Sequence, residues 1–258
     1  MVKNKIYCRL CNSGDTRRIG NYIHCNNCSF GFIYNIKNTY FEKSARIYLP
    51  KILSNILERS NINNIKKRLT KIERLTSKGK ILDIGCAGGT FLKIAKERGW
   101  ETYGIEPFKQ EFIKAKEVIG NVENVKLEDY NTNTKFDVIT LFDVIEHFES
   151  LEPLSKINKL LKEGGLLVVS CMDASSLNFR LTGKRWSCYQ ENQHFNYFNK
   201  KTMKLLFKNL DLIHTHIENN KLKHFISYPF YFIFFLITLK KIAPLWDNRM
   251  YFLKKNVK

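Results

Sequence analysis

The stretch KILDIGCAGGTFLKIAKERGWETYGIEP, residues 80–107, decides the fold. KILDIG is short, apolar and followed by glycines, which fits a strand buried on both faces of a parallel sheet. TFLKIAKERG reads as a helix with Phe91, Leu92 and Ala95 on one face and Gly99 as its stop, and WETYGIEP as a second strand. A strand, a glycine loop, a helix and a strand form a βαβ unit, whose helix N-terminus is the usual seat of a nucleotide-like ligand.

The loop runs Asp83-Ile-Gly85-Cys86-Ala-Gly88-Gly89 and lacks the Gly-x-Gly-x-x-Gly of a dinucleotide site. Asp83 would repel a pyrophosphate and attract a ligand carrying an amino group and a sulfonium. Glu106, at the end of the second strand, is placed to accept hydrogen bonds from ribose hydroxyls. On these residues the chain resembles the class I S-adenosylmethionine-dependent methyltransferases, whose first motif runs Asp-x-Gly-x-Gly-x-Gly with an acid closing the second strand; Ala87 stands where the family has the middle glycine.

The segment NVKLEDYNTNTKFDVITLFDVIEHFESLEPLSKINKLLKEGGLLVVS, residues 124–170, is similar to the family's third strand, acidic turn, fourth strand, helix and fifth strand in that order. FDVITLFDVIEHF is its most specific part, and LLKEGGLLVV resembles the family's helix, Gly-Gly and strand connection. The resemblance implies a doubly wound, seven-stranded, mostly parallel α/β sheet of Rossmann-like type with a reversed last strand. It also implies S-adenosylmethionine as cofactor, held by Asp83, Gly85, Cys86, Gly88, Glu106, Glu128, Asp129 and Asp143. Glu128 or Asp129 would lie near adenine, with solvated turn acids as the competing reading of those two.

A fold does not fix a reaction. Methylating an alcohol needs a base or a metal, whereas an amine need only be neutral. In Asp143-Val-Ile-Glu146-His147 the three outer residues are expected on one helical face, and ENQHFNYF adds His194. The pattern resembles the acid and His clusters of metal-assisted O-methyltransferases, including those of ubiquinone biosynthesis and of small-RNA 2′-O-methylation. Two readings stay open: a second divalent ion on Asp143, Glu146, His147 and His194, or a metal-free site in which His147 or His194, with Glu146, does the acid–base work. Past the fifth strand, Trp186 followed by His194-x-x-x-Phe198 resembles a bacterial subgroup, often with an N-terminal zinc ribbon, associated with surface-glycan and secondary-metabolite pathways. That resemblance implies a carbohydrate or nucleotide-linked acceptor, for which Arg180, Lys184 and Arg185 are either phosphate ligands or a solvated face.

Cys8, Cys11, Cys25 and Cys28 form two Cys-x2-Cys pairs, spacing that suits four thiolates on one structural zinc ion and leaves no coordination position for substrate. Gly14, Gly20 and Gly31, with Tyr22, Ile23, Phe30 and Phe32, supply the turns and short strands of a zinc ribbon. Cys86, Cys171 and Cys188 read as buried small hydrophobes. The N-terminal MVKNKIYCRLCNSGD has no apolar leader stretch, so reduced thiols and a cytoplasmic location, with the inner membrane face as a peripheral alternative, are expected.

The expected organisation of the 258 residues is a ribbon over 1–36, a helical connector over 37–78 and a methyltransferase domain over 79–258. Two amphipathic helices are expected in the connector, on either side of the Asn-rich SNINN. An apolar helical insertion is expected near 222–245, where the run from Tyr228 to Leu239 is shorter than the ~20 residues needed to span a bilayer. Packing, a homodimer contact and peripheral contact with an anionic membrane are its alternatives. The net charge of +19 would attract phosphate-rich partners, but no block of five or more basic residues concentrates it, so nucleic acid is the weaker partner. Together these readings give an O-methyltransferase of a small hydroxylated acceptor, with a 2′-O RNA methyltransferase as the alternative.

Overall fold

The computed structural model describes residues 5–36, 51–186, 188–219 and 248–256. The expected apolar insertion near 222–245, and the first part of the connector, lie outside the described residues. The chain divides into two compact units, one of Met1–Asn38, Phe142–Glu152 and Val169–Leu253, the other of Thr39–Leu141, Pro153–Val168 and Lys254–Lys258.

The N-terminal hairpin and edge strand are β1 (Thr16–Ile19), β2 (Tyr22–Cys25) and β3 (Gly31–Ile33). Then come α1 (Lys51–Leu75), β4 (Lys80–Ile84), α2 (Thr90–Glu97), β5 (Glu101–Ile105), α3 (Lys109–Ile119), β6 (Val122–Glu123) and β7 (Phe136–Phe142). The remaining elements are α4 (Ser155–Leu160), β8 (Leu161–Met172), α5 (Leu177–Thr182), β9 (Asn196–Tyr197), α6 (Lys200–Asn209), β10 (Leu212–Asn219) and β11 (Asn248–Lys255). Two sheets result, one ordered β1-β2-β3-β9 and a seven-stranded, mostly parallel one ordered β10-β11-β8-β7-β4-β5-β6. The second is the doubly wound sheet the sequence implies.

The second unit is built on β4, parallel to β5 on one side and to β7 on the other. The chain runs outward from β4 to β5 and β6 and then returns to β7 on the other side of β4, and that reversal of strand order is the topological switch at which α/β sheets bind ligands, beyond the carboxyl ends of the strands. Ile81, Leu82, Val138, Ile139 and Leu141 are essentially inaccessible, which explains why these strands read as apolar runs without alternation. Helix α2 buries Phe91, Leu92, Ile94 and Ala95, four side chains on one stripe. It ends where the Gly99 amide, at φ +88°, donates to Lys96 O over 2.9 Å.

Three expectations are corrected. One continuous helix, α1, replaces the two expected around SNINN: Asn and Ser are only slightly poorer helix formers than Ala, and Ile65, Leu69 and Ile72 bury one stripe along it. Its C-terminal half is tied down by Arg98, whose Nη1 donates to Thr70 Oγ1 at 3.1 Å and Glu73 Oε2 at 2.9 Å. The helix before Gly164-Gly165 is a short α4, and β8 already starts at Leu161. Residues 143, 146 and 147 do not share a helical face: Ile145–His147 is a single 3-10 turn, and Asp143 precedes it in the left-handed region.

Gly104 on β5 received no attention from the sequence pattern, yet a Cβ there would lie 2.8 Å from Cys86 Sγ and 2.9 Å from Leu92 Cδ1. The glycine loop and α2 therefore approach β5 only because this residue lacks a side chain. Gly104→Ala should destabilise the fold by about 1–3 kcal/mol, read as a lower urea midpoint at unchanged slope; an unaltered midpoint would contradict this packing.

Candidate active site

The loop after β4 is fixed by backbone conformation and by one carboxylate. Gly85, Ala87 and Gly89 take φ of +71°, +46° and +78°, a folded-back path that L side chains resist. The Gly85 and Cys86 amides both donate to Ile105 O, at 2.8 and 3.2 Å. Glu106 Oε2 accepts from the Ala87 amide at 2.8 Å and Oε1 from the Phe108 amide at 2.9 Å. Each oxygen keeps a second lone pair, so the carboxylate can still receive ribose hydroxyls. Asn124 Nδ2 donates to Glu106 O at 2.7 Å and holds the strand end from below.

Asp83 is almost fully buried, and its Oδ1 accepts from Thr140 Oγ1 at 2.6 Å. Burial pushes its pKa up to about 7; the Thr140 bond opposes the rise, Glu106 adds to it and Arg68 weakly counters it. Such a carboxyl ionises when a cationic group is set beside it, so the donor set fits the ammonium and sulfonium of S-adenosylmethionine. Cys86 is buried, and burial followed by the charges of Asp83 and Glu106 holds it as a thiol. A Cβ on Gly88 would approach Glu111 Oε2 to 3.2 Å. Glu128 and Asp129 are exposed on a turn between buried Leu127 and Tyr130, and Glu128 lies 3.8 Å from Lys126.

The first unit carries the acid and histidine residues. Asp143, directly after β7, has φ +58°, and its Oδ1 accepts from Ser170 Oγ at 3.0 Å and Asn248 Nδ2 at 2.9 Å. An aspartate held in the left-handed region by its neighbours is the kind of strain that collects at functional sites. Glu146 is 2% exposed, its Oε2 has no hydrogen-bond partner, and burial, then the Asp143 charge, raises its pKa well above the carboxylate range. His147 Nδ1 lies 2.7 Å from Gln193 O, His194 Nδ1 lies 2.7 Å from Cys188 O, and the ring centroids are 4.8 Å apart. A carbonyl only accepts, so both Nδ1 atoms carry the proton, and the neutral His194 ring keeps its lone pair on Nε2; His147 also meets the Asp143 backbone, which opposes the lowering of its pKa by burial. Burial lowers both pKa values, that of His194 to about 4 with help from His147.

Asp143, Glu146, His147 and His194 do not converge as a ligand set. Among the described residues the one group with three or more metal-ligating atoms within 4.8 Å of one another is Cys8, Cys11, Cys25 and Cys28. Their Sγ atoms approach to 3.6 Å in the pairs Cys8–Cys28 and Cys11–Cys25. That is too far for a disulfide and close to the ~3.8 Å edge of a thiolate tetrahedron around zinc at ~2.3 Å. The two knuckles repeat one conformation: the Asn12 amide reaches Cys8 O at 2.9 Å and the Ser29 amide Cys25 O at 2.8 Å. Asn12 and Ser29, each next after a second cysteine, take φ +57° and +65°. The four sulfurs therefore fit a tetrahedral ion.

Thr140, Asn124 and Asn196 belong to these sites and were not singled out from the sequence. Thr140 lies inside an apolar strand and Asn124 in a polar turn, contexts that carry no signal of their own.

Comparison with known proteins agrees with this geometry. The methyltransferase-domain family matches residues 56–216, more than half of the chain, and the chain belongs to that family. It is a class I S-adenosylmethionine-dependent methyltransferase. A methyltransferase of this type from Clostridium acetobutylicum ATCC 824 superposes with a TM-score of 0.55 at 13% identity, covering 75% of this chain and 91% of its own. One from Archaeoglobus fulgidus gives 0.54 at 20% identity, covering 75% and 94%. The magnesium protoporphyrin IX methyltransferase of Synechocystis PCC 6803, with bound S-adenosylhomocysteine, gives 0.54 at 12% identity, covering 81% and 89%. At these identities the likeness is one of fold. No curated protein sequence matches the chain.

Purified chain should hold one zinc ion by elemental analysis. Cobalt substitution should give the visible bands of a tetrahedral tetrathiolate, lost in Cys25→Ser; absence of both metal and bands would remove the zinc reading.

Proposed function

We propose that the chain transfers a methyl group from S-adenosylmethionine to a hydroxyl of a small acceptor, a sugar or nucleotide-linked sugar of glycan or secondary metabolism. The observation that carries this reading is the buried, neutral imidazole of His194, beside the His147 ring, with Nδ1 spent on the Cys188 carbonyl and Nε2 left as acceptor. An amine acceptor needs no such base, whereas an alcohol does.

S-adenosylmethionine, when bound, supplies an electrophilic methyl group on a sulfonium. Asp83 offers its carboxylate to the cationic end, Glu106 accepts from ribose hydroxyls, and the loop from Gly85 to Gly89 lets backbone come close. A displacement at carbon first requires that the acceptor be held in line, a contribution of about 7–11 kcal/mol when the geometry is right. As the oxygen gains its methyl group it becomes a very strong acid, so a base as weak as His194 can take the proton, and its low pKa keeps it unprotonated over the working range. Glu146 lies buried on the same turn as His147. Arg180 and Arg185 are exposed on the segment between Met172 and β9 and can meet a phosphate of a nucleotide-linked acceptor.

A second reading, methylation of an RNA 2′-hydroxyl, draws support from exposed Arg17 and Arg18 on β1. Phosphate-driven binding falls steeply with salt, so a gel shift without a salt-sensitive RNA complex removes it. An acceptor screen with labelled methyl groups and mass spectrometry tests the main reading directly.

Two quantitative outcomes are expected. Asp83 is neutral below its pKa of about 7 and ionised above it, so calorimetric affinity for S-adenosylmethionine should rise with pH through that value. If only the ionised form binds, the rise from pH 5.5 to 7.5 should be roughly 25-fold. It should flatten in Asp83→Asn, while Glu106→Ala should abolish binding; a pH-independent wild type would contradict the electrostatic role.

His194→Ala should lower turnover about 10²-fold or more with cofactor affinity nearly intact. Because burial holds the wild-type imidazole neutral down to about pH 4, this proton acceptor should stay available at every working pH above that value. Near-normal turnover of the variant would transfer the role to His147.

A further inference from the structure

The four-cysteine knuckle and the two histidines are joined by a short path that runs through β9. The Ser29 carbonyl, at the end of the second knuckle, accepts from Asn199 Nδ2 at 3.0 Å. Strand β3 pairs antiparallel with β9, Gly31 opposite Tyr197 and Phe32 opposite Asn196, and the Ile33 amide donates to Phe195 O at 2.9 Å. The Phe195 amide then donates to Glu146 O at 2.7 Å. So the ribbon's last strand holds β9, and the residue before β9 holds the turn that carries His147.

Asn196 is the side chain at the centre of this path. It is fully buried, and its Nδ2 donates to Phe148 O at 2.6 Å and Ile145 O at 3.4 Å, the carbonyls on either side of Glu146-His147. Its Oδ1 is buried with no hydrogen-bond partner. An orphaned buried acceptor is unfavourable, and an apolar residue of similar size would not incur it. What the amide provides in return is a clamp across the 3-10 turn. His194 lies two residues before Asn196 in the chain, and its amide donates to Gln190 O at 2.8 Å. Both imidazoles are thus referred to one short strand, which is itself hung on the ribbon.

We propose that Asn196 is a positioning residue through which the metal-loaded knuckle sets the geometry of His147 and His194. The ribbon is on this view a part of the catalytic scaffold. The proposal rests on the reading that these histidines serve the acceptor, and the experiment separates the two.

The test uses the full zinc-loaded chain and nitrogen-detected NMR of the histidine rings, which reports the tautomer of each. The wild type should show both rings protonated on Nδ1. Asn196→Ala should keep one zinc and S-adenosylmethionine affinity within about two-fold, yet lose the Nδ1-protonated signature of His147 and at least ten-fold in turnover. Asn196→Asp keeps the shape and removes both donors, and it replaces the alanine variant if that fails to fold. Stripping zinc from the wild type with a chelator should shift both histidine signals in the same way, a readout independent of turnover. Histidine signals unchanged by chelation, or by the folded Asn196 variant, would overturn the proposal. Altered signals with undiminished turnover would leave the coupling standing and sink the catalytic assignment of the histidines.

Discussion

The carboxylate of Glu106 is the constraint on which the cofactor end of the molecule depends. Its two oxygens take the amides of Ala87 and Phe108, one in the glycine loop and one at the start of α3. Hydrogen bonds to a charged group are worth about 1.5–3 kcal/mol each, enough to hold a loop in which three of five residues adopt positive φ. Burial raises the pKa of Glu106, and these two amides are the largest influences opposing that rise. Asp83 lies at the end of the neighbouring strand with its own charge unsettled, so the pair combines one acid stabilised by backbone with one that awaits a cation.

The unit from Lys80 to Glu106 was legible in the sequence because its information is local. An apolar pentad, glycines and a helical stripe each specify their own element, and the elements meet within one short stretch of chain. The failures fall where local pattern is ambiguous. Asn and Ser over residues 60–64 looked like a break, but their helix penalty is small beside the burial of Leu69 and Ile72, and α1 runs through. Residues 143–147 looked helical because Asp, Glu and His recur at helical spacing, yet Asp143 after β7 takes φ +58° and turns the chain before any helix can form. A carboxylate with two neighbouring donors, Ser170 and Asn248, can occupy that conformation; nothing in the local sequence announces donors so far along the chain.

The candidate site shows its residue types in the sequence, but not their states. Glu146 and the two histidines stand out in the sequence by residue type, but whether an acid is an anion depends on burial, and burial of this turn is decided by β9, two residues long and paired with the distant β3. A strand of that length has no periodicity to detect. Tyr22, Ile33, Trp186, Phe195 and Tyr197 form one buried cluster around it, with Tyr197 edge-on to Tyr22 at 5.5 Å and stacked on Tyr189 at 5.4 Å. These aromatic contacts explain why three short strands can hold a fixed position on so little hydrogen bonding: the anchoring is largely apolar, and a metal on the four cysteines would only have to keep the turns around them closed.

Ala87 shows how the two kinds of information combine. As a departure from the family's glycine it looked like a small-for-small exchange, since both residues leave room for a ligand. The structure gives it φ +46°, so the exchange is one of conformation as well as size, at about 1–2 kcal/mol for an L residue in that region. The Ala87 amide is also the one that Glu106 receives at 2.8 Å. That bond and the strain are of similar magnitude and opposite sign, so the loop can keep an alanine only while Glu106 accepts from it. The acid that closes the second strand therefore has two duties, and the one that concerns the chain's own backbone is present before any ligand arrives.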